Sequence, residues 1–305
     1  MTASGEGVFA LRHLMTIVRE VSFDDLREQA LETPRILLLG PDTEVAREIG
    51  LALSGPDGES AVTVRDVGGH IGDADRYDVV VVFDPERTGA AARTEDHLRL
   101  DGVLTPVVKF SGLGPTDTAA VDHLRSAILK RVPERVTAFG RALPLFRPAA
   151  VKQVIEETSM ANAQFALVSN IPQLIPIVGN IASAGADLIV LTKNQVMLVF
   201  KLAAINGRDL NDQMRLLQEV APAIGAGFLW RTAAREATNL LPFAAGTIPK
   251  VGIAYAGTMV VGLSADFYYR TNKKPTRVQL EQWRKQASDA MKRLPMPTKK
   301  TGTDG

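Results

Sequence analysis

Three positions in the first half of the chain, Gly40, Asp84 and Ser111, have residue types that could take part in nucleotide chemistry. Each lies at or directly after the end of an apolar run typical of a β-strand. Glycine lets backbone amides approach a phosphate, a carboxylate can hold magnesium, and a serine hydroxyl can act as a nucleophile. Ligands of parallel α/β sheets bind at the carboxyl ends of the strands, so these positions are the candidates for a site.

Gly40 does not begin a phosphate-binding P-loop. That loop needs Gly-x-x-x-x-Gly-Lys-Ser/Thr, in which bare amides, a lysine and a magnesium-binding hydroxyl surround the phosphates. After Gly40 the chain reads Pro-Asp-Thr-Glu-Val-Ala-Arg, without the second glycine or the lysine. Asp42 or Thr43 is better explained as the N-cap of a helix, with Glu44 in its first turn. Gly40 and Thr43 are therefore at most remnants of a cofactor-binding site.

Asp84 ends the most apolar strand and is the remaining candidate for a magnesium ligand or a phosphate-accepting aspartate. An acceptor of the receiver type needs an acidic pair after the first strand, where this chain has Gly40-Pro41. We interpret Asp84-Pro85 as a turn that ends the strand. Asp84 counts as a third remnant position, and an atypical nucleotide hydrolase built on Thr43 and Asp84 is the alternative.

No other arrangement of residues predicts a cofactor, a metal site or a catalytic residue. Gly-x-Gly-x-x-Gly does not follow the first strand, so Asp66 is an isolated candidate for a ribose contact. The four histidines, His13, His70, His97 and His123, lack metal-ligand spacing. The absence of cysteine excludes disulfides, zinc–thiolate sites, iron–sulfur clusters and cysteine nucleophiles. We predict no cofactor, and the missing motifs favour a protein without enzymatic activity.

The composition indicates two globular domains without affinity for nucleic acid. The 305 residues are 46% hydrophobic, which is enough apolar material for two cores. The 35 lysines and arginines balance 34 acidic residues, so there is no general positive field to attract nucleic acid. The first ten residues lack the basic and apolar segments of a secretory signal, which predicts a cytoplasmic N-terminus.

The first half of the chain alternates strand-like and helix-like segments. Strands are predicted at residues 35–40, 61–67, 77–84 and 105–110, and helices at 43–53 and 119–131. The third strand is continuously apolar at its centre, as in a strand covered by helices on both faces. The pattern predicts a doubly wound, mostly parallel α/β domain of degenerate P-loop-like type at residues 31–132, after a helical lead-in at 1–30.

The second half is predicted to be all helical and rich in glycine and alanine. Three prolines, Pro133, Pro144 and Pro148, mark a helical connector at residues 133–160. An apolar helical domain follows at residues 161–294, and residues 295–305 form a tail without periodicity that we predict to be disordered.

An uncharged run from Val251 to Ala265 suggests contact with a membrane. Small residues within it, such as Gly257, allow helix backbones to approach closely. Tyr268 and Tyr269 come next, before Arg270, Lys273 and Lys274, an order typical of an interfacial anchor on the cytoplasmic side. Charged residues within the preceding apolar stretch favour a hairpin or interfacial helix over simple spans. They are Asp187, Lys193 and Lys201.

The helical half resembles the YcjF-like family of uncharacterised helical domains over roughly residues 150–275. The resemblance is carried by residues 175–179, 186–195, 201–207 and 254–258, with Pro222, Trp230 and Arg231. Members of that family are commonly fused to GTP-binding domains or encoded near them, and are often described as membrane-associated. The resemblance therefore implies that the α/β domain descends from a GTPase. Because the Gly-Lys-Ser/Thr, Asp-x-x-Gly and Asn-Lys-x-Asp motifs are missing, it implies a pseudo-GTPase-like domain.

We predict a membrane-associated, non-catalytic scaffold or regulatory protein on the cytoplasmic face of the cell membrane. Its partners would be membrane lipid or the membrane surface, and a second copy of the chain or a partner GTPase. Buried polar groups cost several kcal/mol unless they are hydrogen-bonded, so polar residues among apolar helices indicate interfaces. The predicted interface residues are Asp187, Asn194, Gln195, Trp230, Arg231 and Gly257. The alternatives are the atypical nucleotide-binding hydrolase and a soluble helical interaction module for a partner GTPase.

Overall fold

The structure, a computed structural model, describes residues 23–69, 71–168, 184–221 and 247–292. Its helices and strands in chain order are α1 Asp24–Leu31, β1 Ile36–Gly40, α2 Thr43–Ser54, β2 Val62–Asp66, β3 Val79–Phe83, α3 Ala90–Leu100, β4 Val107–Phe110, α4 Thr118–Arg131, α5 Val136–Ala142, α6 Arg147–Val168, α7 Ala184–Ile205, α8 Thr247–Thr271 and α9 Arg277–Lys292. Residues 213–221 are also helical.

The four strands form one parallel sheet with the order β2-β1-β3-β4. Gly40 at the end of β1 is in register with Asp66 of β2, and Phe83 at the end of β3 is in register with Phe110 of β4. The predicted α/β domain followed by a helical region is confirmed at this level. The helix α3, which connects β3 to β4, is an element that the sequence analysis did not identify.

Helices cover both faces of the sheet, which explains why β1 and β3 are apolar along their whole length. On one face, Leu37, Leu39, Val80 and Val82 pack with Ala90, Ala91 and Leu98 of α3. On the other face, Gly50 of α2 lies against Leu38 and Val62. Full burial of one leucine or valine side chain contributes about 1.5–3 kcal/mol, so these two layers supply much of the stability of the domain.

Arg125 of α4 holds the C-terminal end of α2. Its guanidinium donates hydrogen bonds to the carbonyls of Leu53, at 3.0 Å, and Ala52, and it pairs with Asp122. The last carbonyls of a helix have no partner within the helix, so this side chain supplies the missing donors. Burial lowers the pKa of Arg125, while Asp122 opposes that shift.

The described residues belong to two compact units that are interleaved in sequence. The first unit contains the sheet and comprises residues up to Glu157 together with Val196–Val220. The second comprises Thr158–Gln195 and residues from Ala221 onward. The domain boundaries proposed from the sequence remain predictions.

Contacts within the first unit show why Val196–Val220 belongs to it. Arg141 of α5 donates hydrogen bonds to the carbonyls of Ala204 and Arg208, at 3.1 and 3.0 Å. The rings of Phe23 and Phe200 also pack together, with centroids 4.2 Å apart. The end of α7 therefore completes the core of the unit that carries the sheet.

In the second unit, α9 packs against α8. The rings of Phe267 and Trp283 meet edge to face, with centroids 5.9 Å apart. Gly252 of α8 lies so close to Met291 of α9 that a Cβ at this glycine would overlap the methionine sulfur. The glycine thus allows the two helices to approach closely, as small residues do at helix crossings.

Candidate functional site

The N-terminus of α2, where a P-loop would hold phosphate, is capped by the protein itself. The Oδ1 atom of Asp42 accepts hydrogen bonds from the amides of Glu44 and Val45, at 2.8 and 3.2 Å. The amides of a first helical turn are the donors that a bound anion would use. Of the two N-caps that the sequence allows, Asp42 and Thr43, the structure has Asp42, so a carboxylate already occupies this position.

Gly40 allows β1 to pack closely against α2. A Cβ at this position would lie 2.9 Å from the Cβ of Ala46, which is fully buried. Close approach of a strand to a helix is a common reason for glycine in a strand. The packing therefore explains Gly40 without a phosphate, and Thr43 is an exposed residue at the start of α2.

We expect Gly40→Ala to lower the free energy of unfolding by about 1–3 kcal/mol, the usual cost of overpacking. Chemical denaturation of the full-length chain measures this loss. Gly50→Ala in α2 is the matched control. Its Cβ would lie 3.2 Å from Val62 Cγ1, a longer distance than the one at Gly40, and the change gains about 1 kcal/mol in helix propensity. A Gly40→Ala protein as stable as the parent would show that packing does not require this glycine.

The Asp84 carboxylate closes the loop between β3 and α3. Its Oδ1 atom accepts hydrogen bonds from the amide of Thr88, at 2.7 Å, and from the hydroxyl of the same residue, at 3.0 Å. Its Oδ2 atom accepts a hydrogen bond from the amide of Gly89 at 3.0 Å and lies 3.8 Å from Nζ of Lys109. Both oxygens therefore have partners within the protein.

The loop held by Asp84 has a backbone that is costly to form. Two of its residues have positive φ, Arg87 at 56° and Gly89 at 83°. A residue other than glycine in the left-handed region costs about 1–2 kcal/mol. The Arg87 amide also donates to the Asp84 carbonyl at 3.2 Å, which forms the turn predicted at Asp84-Pro85. The side-chain hydrogen bonds of Asp84 offset this backbone cost.

The surroundings of Asp84 keep its carboxylate ionised. Burial raises its pKa, but the hydrogen bonds from Thr88 and Gly89 and the positive charge of Lys109 together outweigh burial. The pKa of Asp84 therefore lies below its ordinary value. The negative charge of Asp84 is therefore stabilised by donors of the protein itself.

A small cavity adjoins Asp84. It has a volume of about 130 Å³ and is lined by Pro41, Val67, Phe83, Asp84, Pro85, Glu86, Thr88 and Ala90. Pockets that hold drug-sized ligands have volumes of about 300–1,000 Å³. The cavity by itself is therefore too small to enclose a nucleotide.

An ion pair between Arg65 and Asp73 holds the loop after β2. The two side chains form a fork, with Nη1–Oδ1 and Nη2–Oδ2 distances of 2.6 and 2.9 Å, and Nη2 also donates to the Tyr77 hydroxyl at 3.2 Å. In the same loop, Oδ1 of Asp66 accepts a hydrogen bond from the Gly68 amide at 2.7 Å. Asp66 thus supports a local turn.

We expect acid to weaken the fold through Asp73. The hydrogen bond from Arg65 lowers the pKa of Asp73 from 3.8 to about 2. Because the folded value is the lower one, the stabilisation is fully present above pH 3.8 and is lost as the pH falls through about 2. Urea denaturation at a series of pH values should show less acid dependence in Asp73→Asn than in the control Asp75→Asn, an exposed neighbour. The same slope in both variants would contradict this assignment.

The remaining candidates from the sequence are dispersed. Oγ of Ser111 is shielded from solvent and has no hydrogen-bond partner among the described residues. His97 lies 3.4 Å from Asp101 on the surface of α3, and His123 is exposed on α4. His13 and His70 lie outside the described residues. Within the described ranges, no group of three or more metal-binding side chains is found.

The second unit contains four polar residues from three helices that are hydrogen-bonded together, here named the polar cluster: Asn162 of α6, Asn194 and Gln195 of α7, and Thr258 of α8. The Nδ2 atom of Asn194 donates to Oδ1 of Asn162 at 2.7 Å, and Nδ2 of Asn162 donates to Oγ1 of Thr258 at 2.8 Å. Nε2 of Gln195 donates to the same Thr258 oxygen at 3.2 Å. The cluster therefore links all three helices.

The polar cluster is shielded from water. Asn162 and Thr258 are fully buried and Gln195 is 1% exposed, whereas Asn194 is half-buried. Asn162 uses both its amide nitrogen and its oxygen, and the Thr258 hydroxyl donates to the carbonyl of Ala254 at 2.8 Å. In contrast, Oε1 of Gln195 has no partner in the described part of the chain. Asn162 and Thr258 are therefore the two central members of the cluster.

The residues predicted to form helix interfaces lie in different parts of the chain. Asn194 and Gln195 belong to the polar cluster, and Gly257 is buried in α8. Asp187 lies in α7, while Trp230 and Arg231 lie outside the described residues. Asn162 was not identified from the sequence, although an amide within an apolar helix is the signal that could have revealed it. The role of these residues in assembly remains a prediction.

Among the described helices, one is long and apolar enough to cross a membrane. It comprises Val251–Thr271, 21 residues with a mean hydropathy of 1.2. In the most apolar 18-residue stretch of this helix, 72% is buried inside the protein, as in the core helix of a soluble protein. Length and composition alone therefore fit both environments.

Comparison of the chain with family models, curated proteins and solved structures found no match. Its function is therefore inferred from the residues described above.

Proposed function

We propose that this protein is a membrane-associated, non-catalytic scaffold or regulatory protein. The unit that carries the sheet would be a pseudo-GTPase-like domain displayed at the cytoplasmic face of the cell membrane. The helical part, which resembles the YcjF-like family, would contact the lipid and assemble with a second copy of the chain or with a partner GTPase.

One observation carries the non-catalytic part of this proposal: Asp42 and Asp84, the carboxylates that follow β1 and β3 at the carboxyl edge of the sheet, are bonded to the protein's own donors. Asp42 occupies the first amides of α2, and Asp84 accepts three hydrogen bonds within its loop. A phosphate would have to displace Asp42, and a magnesium ion would compete with the hydrogen bonds from Thr88 and Gly89 for the Asp84 oxygens. The adjoining cavity, at about 130 Å³, is smaller than the pockets that enclose drug-sized ligands.

The apolar character of α8 and the polar cluster support the membrane part of the proposal. The 21 residues Val251–Thr271 of α8 have the length of a membrane helix, with Asp266 and Arg270 near their C-terminal end. In lipid, polar side chains have no water as an alternative partner, so hydrogen bonds between helices such as those of Asn162 and Thr258 are the arrangement expected there.

A soluble interaction module for a partner GTPase is the second candidate. The burial of 72% of the most apolar stretch of α8 favours this candidate, because a helix covered by its own protein does not need lipid. In that case the apolar residues of α8 serve the core of the unit.

Fractionation of cells that express the full-length chain tests the proposal, with high-salt and carbonate washes of the membrane pellet. We expect the chain in the pellet; resistance to both washes indicates insertion, and release by salt indicates surface contact. A chain that stays in the supernatant without detergent would replace the membrane proposal with the soluble module. Calorimetry with magnesium and GTP or ATP tests the non-catalytic part of the proposal. We expect no binding, and magnesium-dependent binding would favour the hydrolase.

A further inference from the structure

A basic segment connects α8 to α9. Residues 270–277 read Arg-Thr-Asn-Lys-Lys-Pro-Thr-Arg, with four basic residues and no acidic one. We name this segment the basic turn. The total charge of the chain is nearly balanced, so this local excess of positive charge does not follow from the composition as a whole.

The backbone on both sides of the basic turn is fixed by hydrogen bonds. Asn272 ends α8 with a φ of 54°, and its amide donates to the carbonyl of Tyr268 at 2.7 Å. At the start of α9, the Thr276 amide donates to Oε1 of Gln279 at 2.9 Å, and the Gln279 amide donates to Oγ1 of Thr276 at 3.3 Å. This reciprocal pair is a capping box. The basic side chains are therefore held in one region and do not spread along a flexible linker.

Three of the four cations are available to a partner. Arg270 pairs with Asp266 at 2.8 Å, so its charge is balanced within the protein. Lys273, Lys274 and Arg277 are exposed and form no ion pair with the described residues. Cations near the N-terminus of a helix are also repelled by its dipole, and the first turn of α9 has no acidic residue to compensate. An anionic partner would relieve the repulsion among these cations and their repulsion by the helix dipole.

The neighbouring side chains suit the interface between lipid and water. Val278, the next residue after the basic turn, is 67% exposed, and Tyr268 is half-buried. Aromatic side chains beside lysine and arginine are characteristic of membrane interfaces, where apolar groups enter the headgroup region and cations meet phosphates. A soluble acidic partner would account for the charges but not for the exposed valine beside them.

We propose that the basic turn binds the anionic headgroups of a lipid bilayer through Lys273, Lys274 and Arg277. This inference rests on the proposed membrane association. It assigns the electrostatic attraction to the membrane to one surface, the basic turn. Each lysine or arginine near an anionic membrane strengthens binding about fivefold, so removal of two charges should weaken it about 30-fold. The effect should decrease at high salt, because the Debye length falls from about 8 Å at 0.15 M to about 3 Å at 1 M.

Flotation of the full-length chain with lipid vesicles tests this inference. The vesicles contain either phosphatidylcholine alone or phosphatidylcholine with phosphatidylglycerol, and the test variant is Lys273→Gln with Lys274→Gln. The control is Lys130→Gln with Arg131→Gln, which replaces an adjacent exposed pair at the end of α4. It removes two positive charges, as the test variant does. Circular dichroism should give Tm values close to that of the parent for both variants, because all four side chains are exposed and charges at exposed helix ends contribute only about 0.3–1 kcal/mol.

We expect the parent and the control to bind anionic vesicles in preference to neutral ones, and the test variant to lose about 30-fold on the anionic vesicles only. Equal binding of the parent to both vesicle types, unchanged in the test variant, would overturn the role of the basic turn and leave membrane association in place. A parent that floats with neither vesicle type would overturn membrane association itself, and the basic turn with it. An equal loss in the control variant would show that total charge, and not this turn, determines binding.

Discussion

Asp84→Ala is expected to lower the Tm of the full-length chain by about 5 °C or more without creating or removing an interaction with nucleotides. The substitution deletes the acceptor for the amides of Thr88 and Gly89. It also leaves Arg87 in its unfavourable backbone conformation and Lys109 without its nearby carboxylate. Thermal unfolding and calorimetry with magnesium nucleotides measure the two halves of this expectation.

Two matched variants separate the structural role of Asp84 from a metal-binding one. Asp84→Asn keeps one carbonyl acceptor, so its Tm should lie between those of the parent and Asp84→Ala. Glu86→Ala removes a carboxylate from the lining of the same cavity at an exposed position, and its Tm should be close to that of the parent. A parental Tm for Asp84→Ala, together with loss of magnesium-dependent nucleotide binding, would support the atypical hydrolase.

The second large effect concerns the polar cluster: Asn162→Ala should lower the free energy of unfolding by about 2–4 kcal/mol. The substitution removes two hydrogen bonds between helices and leaves a cavity at a fully buried position. The Asn194 amide then loses its acceptor at a half-buried position, and the fully buried Thr258 hydroxyl loses one of its two donors. Denaturant titration of the full-length chain followed by circular dichroism measures the loss.

Gln195→Leu is the control for Asn162→Ala, because the two residues lie in the same cluster but are satisfied to different degrees. Gln195 gives up one hydrogen bond of 3.2 Å, and its Oε1 atom has no partner among the described residues. Leucine of similar size should therefore cost less than about 1.5 kcal/mol. A cost as large as that of Asn162→Ala would mean that the contacts described here do not determine the energetics of the cluster.

The role of the cluster in assembly has its own measurement. Sedimentation velocity of the double variant Asn194→Leu with Gln195→Leu, compared with the parent, should show altered assembly. Unchanged assembly and unchanged thermal stability would remove Asn194 and Gln195 as interface residues.

Features determined by local sequence could be predicted, since neighbouring residues specify them. The apolar run of β3 indicates a strand buried on both faces, and it is one. An N-cap was predicted at Asp42 or Thr43 because such a side chain needs only the amides two and three residues further along the chain, and the structure places it at Asp42. The turn at Asp84-Pro85 follows from its residue types in the same way.

Features that depend on distant residues could not be predicted from one sequence. Asn194 meets Asn162 across 32 positions, and no periodicity of either helix shows this pairing. The packing reason for Gly40 depends on where Ala46 lies once α2 has folded back on β1. The return of Val196–Val220 to the first unit is likewise a property of the tertiary fold, and hydropathy along the chain does not reveal it.

The interleaved order of the units has a consequence for synthesis on the ribosome. Domains made of one continuous segment can fold as soon as that segment emerges from the exit tunnel. Here Phe23 is synthesised early, but its ring partner Phe200 is translated only after 176 intervening residues. At about 5–20 residues per second, the nascent sheet-bearing unit waits on the order of ten seconds or more with this part of its core uncovered. A nascent chain stalled before α7 should therefore expose this part of the first unit's core to chaperones, whereas a chain long enough to bring Val220 out of the tunnel should cover it.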